Sequence, residues 1–545
     1  MDKKTVLAIA LSFLVLVVWQ LFFSKPAPGP VEEAAKTPQG MVEEVTPAPA
    51  APPLKEEIAV VERQPSIVPE GTKAPREVVV EGPLYTATID TAGGRIAHFT
   101  LTKYNDTIQD DSPPVDLVNK DASILSPRVG FDTPIGSFSD DIVYSCPSED
   151  KVVIAGDAKK EVTLTYTGKQ FRIEKIYTFD PKGYTVGFDV VVTNLTGENT
   201  AGDMSVSLFD YVDESKKSWS IFGSYDYPSN YLVFVDKSLK KGTAKGVKVD
   251  KPEKMPGTTT WFGFDNKYFL TALITDKLSG SEVEIVRSSD TLAVGSVTMG
   301  DVSFPAGDSV TKDMTIYLGP KEATIMDRVG YSLTSAIDYG FFGFLSIPLV
   351  WLLSFFYSIF KNYGVAIILL TVVVRIVLFP FTYKSMKSMK EMQKMQPLMV
   401  ELREKYKNDK EKLNQEVMRM YQTHKINPLG GCLPLLLQLP VFIALYKALY
   451  VAIQLRHSPF LFWIKDLSEM DPYYVTPIIM GASYFIQQKL TPTSMDPTQQ
   501  KIMLLMPVIF TVIFLNLPAG LVLYFFVSNL LSIAQQLYMN KFVKD

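Results

Sequence analysis

From residue 344 to the C-terminus the sequence passes through apolar stretches at about 344–383, 429–453, 473–487, 502–516 and 519–535, and a further one occupies residues 6–23. No other feature constrains the fold as much. Hydrocarbon offers no partner to a backbone amide or carbonyl, so a segment that crosses it must satisfy its own hydrogen bonds, as a helix does. At about 1.5 Å per residue, the 18 residues of 6–23 reach nearly across a ~30 Å hydrocarbon core. Counted as single crossings, the stretches give six spans. The last two are joined only by Asn516-Leu517-Pro518-Ala519-Gly520, a tight hairpin.

The stretch 6–23 is interrupted only by Ser12 and Gln20 and follows Lys3 and Lys4. Ser24-Lys25-Pro26-Ala27-Pro28 offers no small-x-small cleavage site, so an uncleaved signal anchor is expected rather than a signal peptide, with its lysines in the cytoplasm. Residues 24–76 are rich in Pro, Ala and Glu, as in Pro47-Ala48-Pro49-Ala50-Ala51-Pro52-Pro53. Such a segment cannot bury enough apolar area to offset its ordering entropy and reads as an extended linker.

Residues 77–320 change period. Glu77-Val78-Val79-Val80-Glu81, Tyr85-Thr86-Ala87-Thr88-Ile89-Asp90, Glu161-Val162-Thr163-Leu164-Thr165-Tyr166 and the stretch 184–193 alternate in the manner of half-buried antiparallel strands. A large β-sandwich is expected. In residues 321–343 the period becomes helical, with Ile325, Met326, Val329, Leu333, Ala336 and Ile337 on one face. An amphipathic helix lying in the membrane interface fits this pattern, and so does one packed on the β domain.

Charge and cysteines narrow the class. Against 58 Asp+Glu, 54 Lys+Arg leave a net charge of −4, which disfavours a chain built as a whole for nucleic acid. At 47% hydrophobic residues the chain is not disordered throughout. Two cysteines, Cys146 and Cys432, make no disulfide framework. The near-neutral total hides an asymmetry. Lys384, Lys387, Lys390, Lys394, Arg403, Lys405, Lys407, Lys410, Lys412, Arg419 and Lys425 crowd one loop, whereas residues 456–472 carry only Arg456 and Lys465. With the N-terminus inside, the positive-inside rule puts 77–320 outside the cytoplasm and the basic loop inside. The C-terminus, with Lys541 and Lys544, is then inside as well, and the two cysteines cannot meet.

No G-x-x-x-x-G-K-[ST], H-E-x-x-H or G-x-S-x-G motif is present, and His98, His424 and His457 are scattered, so no enzyme, cofactor or metal site is expected. The outstanding residue is Arg375, inside Ile367-Ile368-Leu369-Leu370-Thr371-Val372-Val373-Val374-Arg375-Ile376-Val377-Leu378-Phe379-Pro380. A guanidinium at mid-span costs about 2.5–3.5 kcal/mol on insertion scales and cannot escape by losing its proton. It must face a hydrated cavity or polar partner, unless it snorkels to the cytoplasmic headgroups. Thr371 lies one turn before it. Gln438, Tyr524, Ser528, Asn529 and Gln535 are further polar residues in spans, and no span offers an acid to neutralise Arg375. A positive, hydrated groove is therefore expected. A small-solute transporter or channel is the alternative, without the intramembrane acids or repeats that would favour it. Residues 502–517 span only about 24 Å, short enough to thin the bilayer beside such a groove.

In the loop, residues 384–423 read as a helical hairpin. Met386, Met389, Met392, Met395 and Met399 recur beside Lys384, Lys387, Lys390 and Lys394, with Pro397 near a bend or helix start. Flexible methionines suit varied apolar segments, or the stripe packs within the hairpin. The basic charge suits anionic headgroups or ribosomal RNA without sequence preference.

Asn427-Pro428-Leu429-Gly430-Gly431-Cys432-Leu433-Pro434, Gln438-Leu439-Pro440-Val441-Phe442, Asp471-Pro472-Tyr473-Tyr474, Met506-Pro507-Val508-Ile509-Phe510 and Pro518-Ala519-Gly520-Leu521-Val522-Leu523-Tyr524, in this order and in separate spans, resemble the YidC/Oxa/Alb family of membrane insertases. Trp261-Phe262-Gly263 and Lys267-Tyr268-Phe269 resemble the periplasmic domain of its Gram-negative form. The resemblance implies an α+β multidomain protein of the bacterial inner membrane. Its parts would be a signal anchor (1–23), a linker (24–76), a periplasmic antiparallel β-supersandwich (77–320), an interfacial helix (321–343) and an α-helical core of five spans (344–545). It implies insertion and folding of nascent membrane proteins, without nucleotide hydrolysis, alone or with the Sec translocon. The ribosome and a signal-recognition receptor would be partners beside the lipid bilayer. Arg375, Thr371, Gln438, Tyr524 and Asn529 would line the groove; Phe442, Met506 and Phe510 would lie on the spans along which substrates slide. Met386, Met389, Met392, Lys387 and Lys390 would make contacts at the cytoplasmic hairpin. Phe525 stands where the family often has a second tyrosine, so Tyr524 or Asn529 would have to replace that hydroxyl.

Overall fold

The structure is a computed structural model that describes residues 74–118, 126–212, 229–249, 251–424, 433–491 and 497–542. The expected anchor at 6–23, all but residues 74–76 of the linker, and Asn427 to Cys432 lie outside the described residues.

The alternating stretches are strands. β1 (Glu77–Glu81), β2 (Tyr85–Asp90), β3 (Arg95–Asn105), β4 (Pro114–Asp116) and β7 (Lys151–Val153) form one sheet in the order β4-β3-β2-β1-β7. β5 (Arg128–Thr133), β6 (Gly136–Ser139), β8 (Lys160–Thr167), β9 (Phe171–Phe179), β10 (Thr185–Asn194), β11 (Thr200–Tyr211), β15 (Phe269–Arg287), β16 (Leu292–Phe304) and β17 (Ser309–Pro320) belong to a second, twelve-stranded sheet. β12 (Asn230–Val235), β13 (Ser238–Thr243) and β14 (Glu253–Asp265) branch from it at β15. On β10, Val186, Phe188, Val190 and Val192 are buried while their neighbours are half-exposed. Pairing between these strands is antiparallel except between β1 and β7, where Val79 stands opposite Lys151 in a parallel pair. The expectation of a wholly antiparallel sandwich fails there, because β1 and β7 are joined by a long connection rather than a hairpin.

One inward position is charged. On β9, Phe171, Ile173, Tyr177 and Phe179 point into the core, and Lys175 shares their face without exposure. Its ammonium pairs with Asp140, equally buried, and donates to Gly93 O at 2.8 Å. Asp140 also accepts from Tyr144 Oη at 2.5 Å and Val129 N at 2.7 Å. Burial pushes the Lys175 ammonium below its ordinary pKa, and the Asp140 carboxylate opposes that shift.

The segment 321–343 departs from the single amphipathic helix expected. α1 (Ala323–Val329) ends at Gly330, whose φ of +84° stops it, and a 3₁₀ turn follows at Leu333–Ala336. Met326, Leu333, Ala336 and Ile337 are buried in the β-domain core, and Tyr331 O accepts from the Trp261 indole at 3.1 Å. The apolar face belongs to the β domain.

The stretch 344–383 is two helices, α2 (Gly343–Phe360) and α3 (Tyr363–Lys394). Lys361 (φ +52°) ends the first, and the Asn362 side chain caps the second by accepting from Val365 N at 3.0 Å. α3 continues past the apolar run, so residues 384–394 belong to it, and the hairpin proper is α4 (Gln396–Lys405) and α5 (Lys410–Thr423). Pro397 lies in the first turn of α4. α6 (Leu433–Val451), α7 (Val475–Leu490), α8 (Pro497–Phe514) and α9 (Ala519–Phe542) complete the chain. Among the described residues, Gly343–Phe360, Tyr363–Lys394 and Ala519–Lys541 are long and apolar enough to cross a membrane by length and composition, and Leu437–Val451 and Leu504–Phe514 are apolar but shorter.

Helix directions follow from their polar contacts. Successive residues of α9 meet successive residues of α3: Ser528 with Arg375, Gln535 with Thr382, and Met539 O with Lys390 Nζ. Asn529 and Gln536 likewise meet Ser483 and Leu490 O at α7. α3, α7 and α9 therefore run parallel. At their N-terminal ends, Asn362 reaches Phe460 O, Ala519 N donates to Glu469 O at 2.7 Å, and Met470 bridges Pro518. The loop 456–471 joins these ends to the β domain. Arg456 donates to Asp106 O at 3.0 Å and covers the Tyr268 and Phe269 rings, while Lys267 lies 4.6 Å from the Tyr450 ring centroid on α6.

The buried pair gives a test of the β domain. Asp140→Asn leaves the Lys175 ammonium without its counter-charge and is expected to destabilise the domain by about 3–5 kcal/mol. Adding Lys175→Met removes the stranded charge and is expected to recover most of that loss. Thermal unfolding of the three proteins measures both.

Candidate functional site

α3 places Arg375 three turns in from its capped end, on the side that faces α9. Its Nε donates to Ser528 Oγ at 3.1 Å, and its Nη2 donates to Ser528 Oγ at 2.5 Å and Ser528 O at 2.9 Å. Those are neutral acceptors. Among the described residues no carboxylate pairs with Arg375. Arg375 is half-buried rather than directed wholly at lipid.

One turn before Ser528 on α9, Tyr524 is fully buried, and its Oη accepts from Gln438 Nε2 of α6 at 2.6 Å. Tyr524 and Ser528 stand one turn apart on the same face of α9. Polar residues of three helices thus line up in one chain along α9: Gln438 of α6 at Tyr524 and, one turn on, Arg375 of α3 at Ser528. A positive charge is left there with neutral ligands, which is what an arrangement able to attract a carboxylate requires.

Of the remaining expected groove residues, Thr371 and Asn529 do not enter this chain. Thr371 is buried and donates to Ile367 O of its own helix at 2.6 Å. Asn529 turns to α7 and donates to Ser483 Oγ at 3.2 Å. Ser528, the direct ligand of Arg375, stood in the sequence only as one more polar residue of the last span; its spacing of four from Tyr524 is the signal that places both on one face.

The aromatic residues form a second, dry group. The Phe525 ring meets Phe442 of α6 at 5.0 Å and Phe514 of α8 at 4.7 Å, both edge-to-face. Phe510 touches Phe514 and Tyr484. Phe525 therefore fills an apolar contact between α6 and α8, and of the two residues named to replace a hydroxyl there, only Tyr524 belongs to the polar chain. Met506 is half-buried on α8, beyond this cluster. α7 and α8 approach closely at Gly481, where a Cβ would lie 1.9 Å from Thr511 Oγ1.

At the other end of α3, Met386, Met389 and Met392 are half-buried, Lys387 is exposed, and Lys390 donates to Met539 O near the end of α9 at 2.7 Å. At the loop end, Asp471 accepts from Trp463 Nε1, Tyr473 N, Thr476 N and Thr476 Oγ1. Burial would raise its pKa, but these bonds, from Thr476 above all, hold the carboxyl below its ordinary value.

The fold and site define a multi-spanning membrane protein with an outer β domain and an uncompensated arginine in its helical core. Comparison with known proteins gives the class. The family model described as the 60Kd inner membrane protein matches residues 355–545, and the one described as the YidC periplasmic domain matches residues 77–352. A solved structure of an active YidC insertase, with its first transmembrane domain resolved, overlaps 85% of this chain and 92% of that one, at 19% identity and a TM-score of 0.36. The membrane protein insertase YidC of Syntrophus aciditrophicus (strain SB) is 41% identical over 99% of this chain and 100% of its own length. That of Citrifermentans bemidjiense is 39% identical over 100% of both. The chain belongs to the YidC family of inner-membrane proteins.

The polar chain predicts a coupling. In a double-mutant cycle of Tyr524→Phe with Gln438→Leu, thermal unfolding in detergent is expected to give an interaction energy on the order of 1 kcal/mol, the range of hydrogen bonds between membrane helices.

Proposed function

We propose that this protein inserts and helps fold membrane proteins by offering a polar substrate segment a hydrated, positively charged groove part-way through the bilayer. The observation that carries the reading is Arg375 at mid-helix with only neutral ligands. Keeping a guanidinium there costs about 2.5–3.5 kcal/mol, and a carboxylate on an entering tail is the group that would offset it. The substrate's own apolar span then partitions into lipid, along α6 and α8, and no nucleotide is required. Phe442, Met506 and Phe510 are the residues on that path, with Gln438 and Tyr524 beside the charge.

The topology that suits this has five crossings in the core, α3, α6, α7, α8 and α9, with 6–23 as the sixth span of the chain. The parallel run of α3, α7 and α9 supports it. So do the contacts of α2. Near its start Ser346 Oγ donates to Ala444 O on the outer half of α6, and near its end Tyr357 stacks on Tyr363 at the start of α3. With both ends at one level α2 lies along the outer surface, exposing Phe344, Ile347, Trp351, Phe355 and Ile359 to lipid. The N- and C-termini are then cytoplasmic and the β domain periplasmic. In 16 residues α7 covers about 24 Å, which favours a thinned bilayer. The hairpin, with Lys387, Lys390 and the methionines of α3 beside it, faces the ribosome and a signal-recognition receptor, and the Sec translocon is a partner at the membrane.

Reconstitution tests the function. Purified protein in liposomes, given a single-span substrate with an acidic N-terminal tail, is expected to yield a protease-protected tail well above empty liposomes. Arg375→Ala is expected to cut that yield several-fold and Arg375→Lys to fall between. A yield equal to that of empty liposomes would overturn the proposal.

A further inference from the structure

The Arg375 guanidinium carries five N–H groups on three nitrogens. It can grip a carboxylate through two parallel bonds along only two edges, Nε with Nη2 or Nη1 with Nη2. Both edges use Nη2. Here Nη2 is held by Ser528 twice, at 2.5 Å to the hydroxyl and 2.9 Å to the carbonyl, and Nε reaches the same hydroxyl at 3.1 Å. Nη1 makes no hydrogen bond among the described residues.

Ser528 is well placed to keep this hold. It is 2% exposed, and its carbonyl is part of the α9 backbone and also accepts from Ser532 Oγ at 2.9 Å. The serine hydroxyl cannot swing away without breaking both of its bonds to Arg375 on α3.

We infer that Ser528 is a positioning residue that denies Arg375 the two-bond fork, leaving Nη1 alone to meet a substrate carboxylate. The inference rests on the proposed role of Arg375 as the contact for acidic tails. Its consequence concerns release. Attraction depends on the whole positive charge, which Ser528 leaves in place, whereas the lifetime of the contact depends on the bonds that must break. A paired grip, with two bonds to break, would hold a tail that has to move on. A single bond draws the tail in and lets it go. Ser528 would thus set how long each acidic tail stays, and with it the balance between acidic and neutral tails.

The experiment uses the full chain in proteoliposomes and two single-span substrates, one with an acidic N-terminal tail and one with each Asp and Glu of that tail changed to Asn and Gln. A fluorophore pair, one dye on the tail and one on a cysteine placed in α6, reports dwell time in single-molecule traces. Ser528→Ala frees Nε and one Nη2 hydrogen, so the ratio of acidic-tail to neutral-tail dwell time is expected to rise about five- to tenfold over wild type. Ser528→Thr, which restores the hydroxyl, is expected to return the ratio to within twofold. An unchanged ratio in Ser528→Ala would overturn the inference, and so would a change of the same factor for both tails, the mark of a packing defect. Arg375→Ala separates the two levels. If it alone lowers the ratio, the groove reading stands and the role of Ser528 falls. If it leaves the ratio at the wild-type value, the groove reading falls and the inference with it.

Discussion

A permanently charged side chain on an apolar helix must be given ligands, and among the described residues they come from one neighbouring helix. Arg375 reaches across to Ser528 and takes both its hydroxyl and its carbonyl, so the charge fixes α3 against α9 in rotation and in height. The other polar contacts then fall into step: Gln535 with Thr382, Lys390 with Met539, Asn529 with Ser483, Gln536 with Leu490. α9 is the helix to which the others are fastened. α6 joins it through one polar link, Gln438 to Tyr524, and one aromatic link, Phe442 to Phe525.

The β domain is fastened to the same helix indirectly. Asp106, Lys267 and Tyr268 meet Arg456 and Tyr450, and the loop that follows Arg456 supplies the carbonyls of Leu467 and Glu469 to the first amides of α9. A chain of contacts therefore runs from the outer sheet through residues 456–471 to the start of α9, two turns from Ser528. Asp471, held by four donors, anchors the far end of that loop at α7.

Much of this was legible in the sequence. Period-two alternation located β1, β2, β8 and β10, and the apolar stretches located the later helices, because both patterns follow from local geometry. Arg375 stood out because its surroundings are apolar. What failed was also physical. The Lys361-Asn362 pair divides an otherwise apolar run, and its meaning as stop and cap is overshadowed by hydrophobicity on both sides. The face of 321–343 was read correctly as apolar, but no periodicity tells which surface will cover it. The partners of Lys175 and Arg375 lie 35 and 153 residues away, so only the fold brings them together. Asp471 and Gly520 appeared as motif residues; the structure gives their reason, a loop end held by four donors and an amide seated on Leu467 O.

The contacts along α9 recur after seven residues, at Ser528 and Gln535 toward α3 and at Asn529 and Gln536 toward α7. Seven residues fall short of two full turns of a 3.6-residue helix by about 20°. Over the single repeat that these contacts cover, a drift of about 20° is small. α3 and α7 therefore keep to two faces of α9 along it, each held at two levels by polar contacts. Such a fastening resists the sliding of α9 past its neighbours, since a shift by one residue would part all four contacts together.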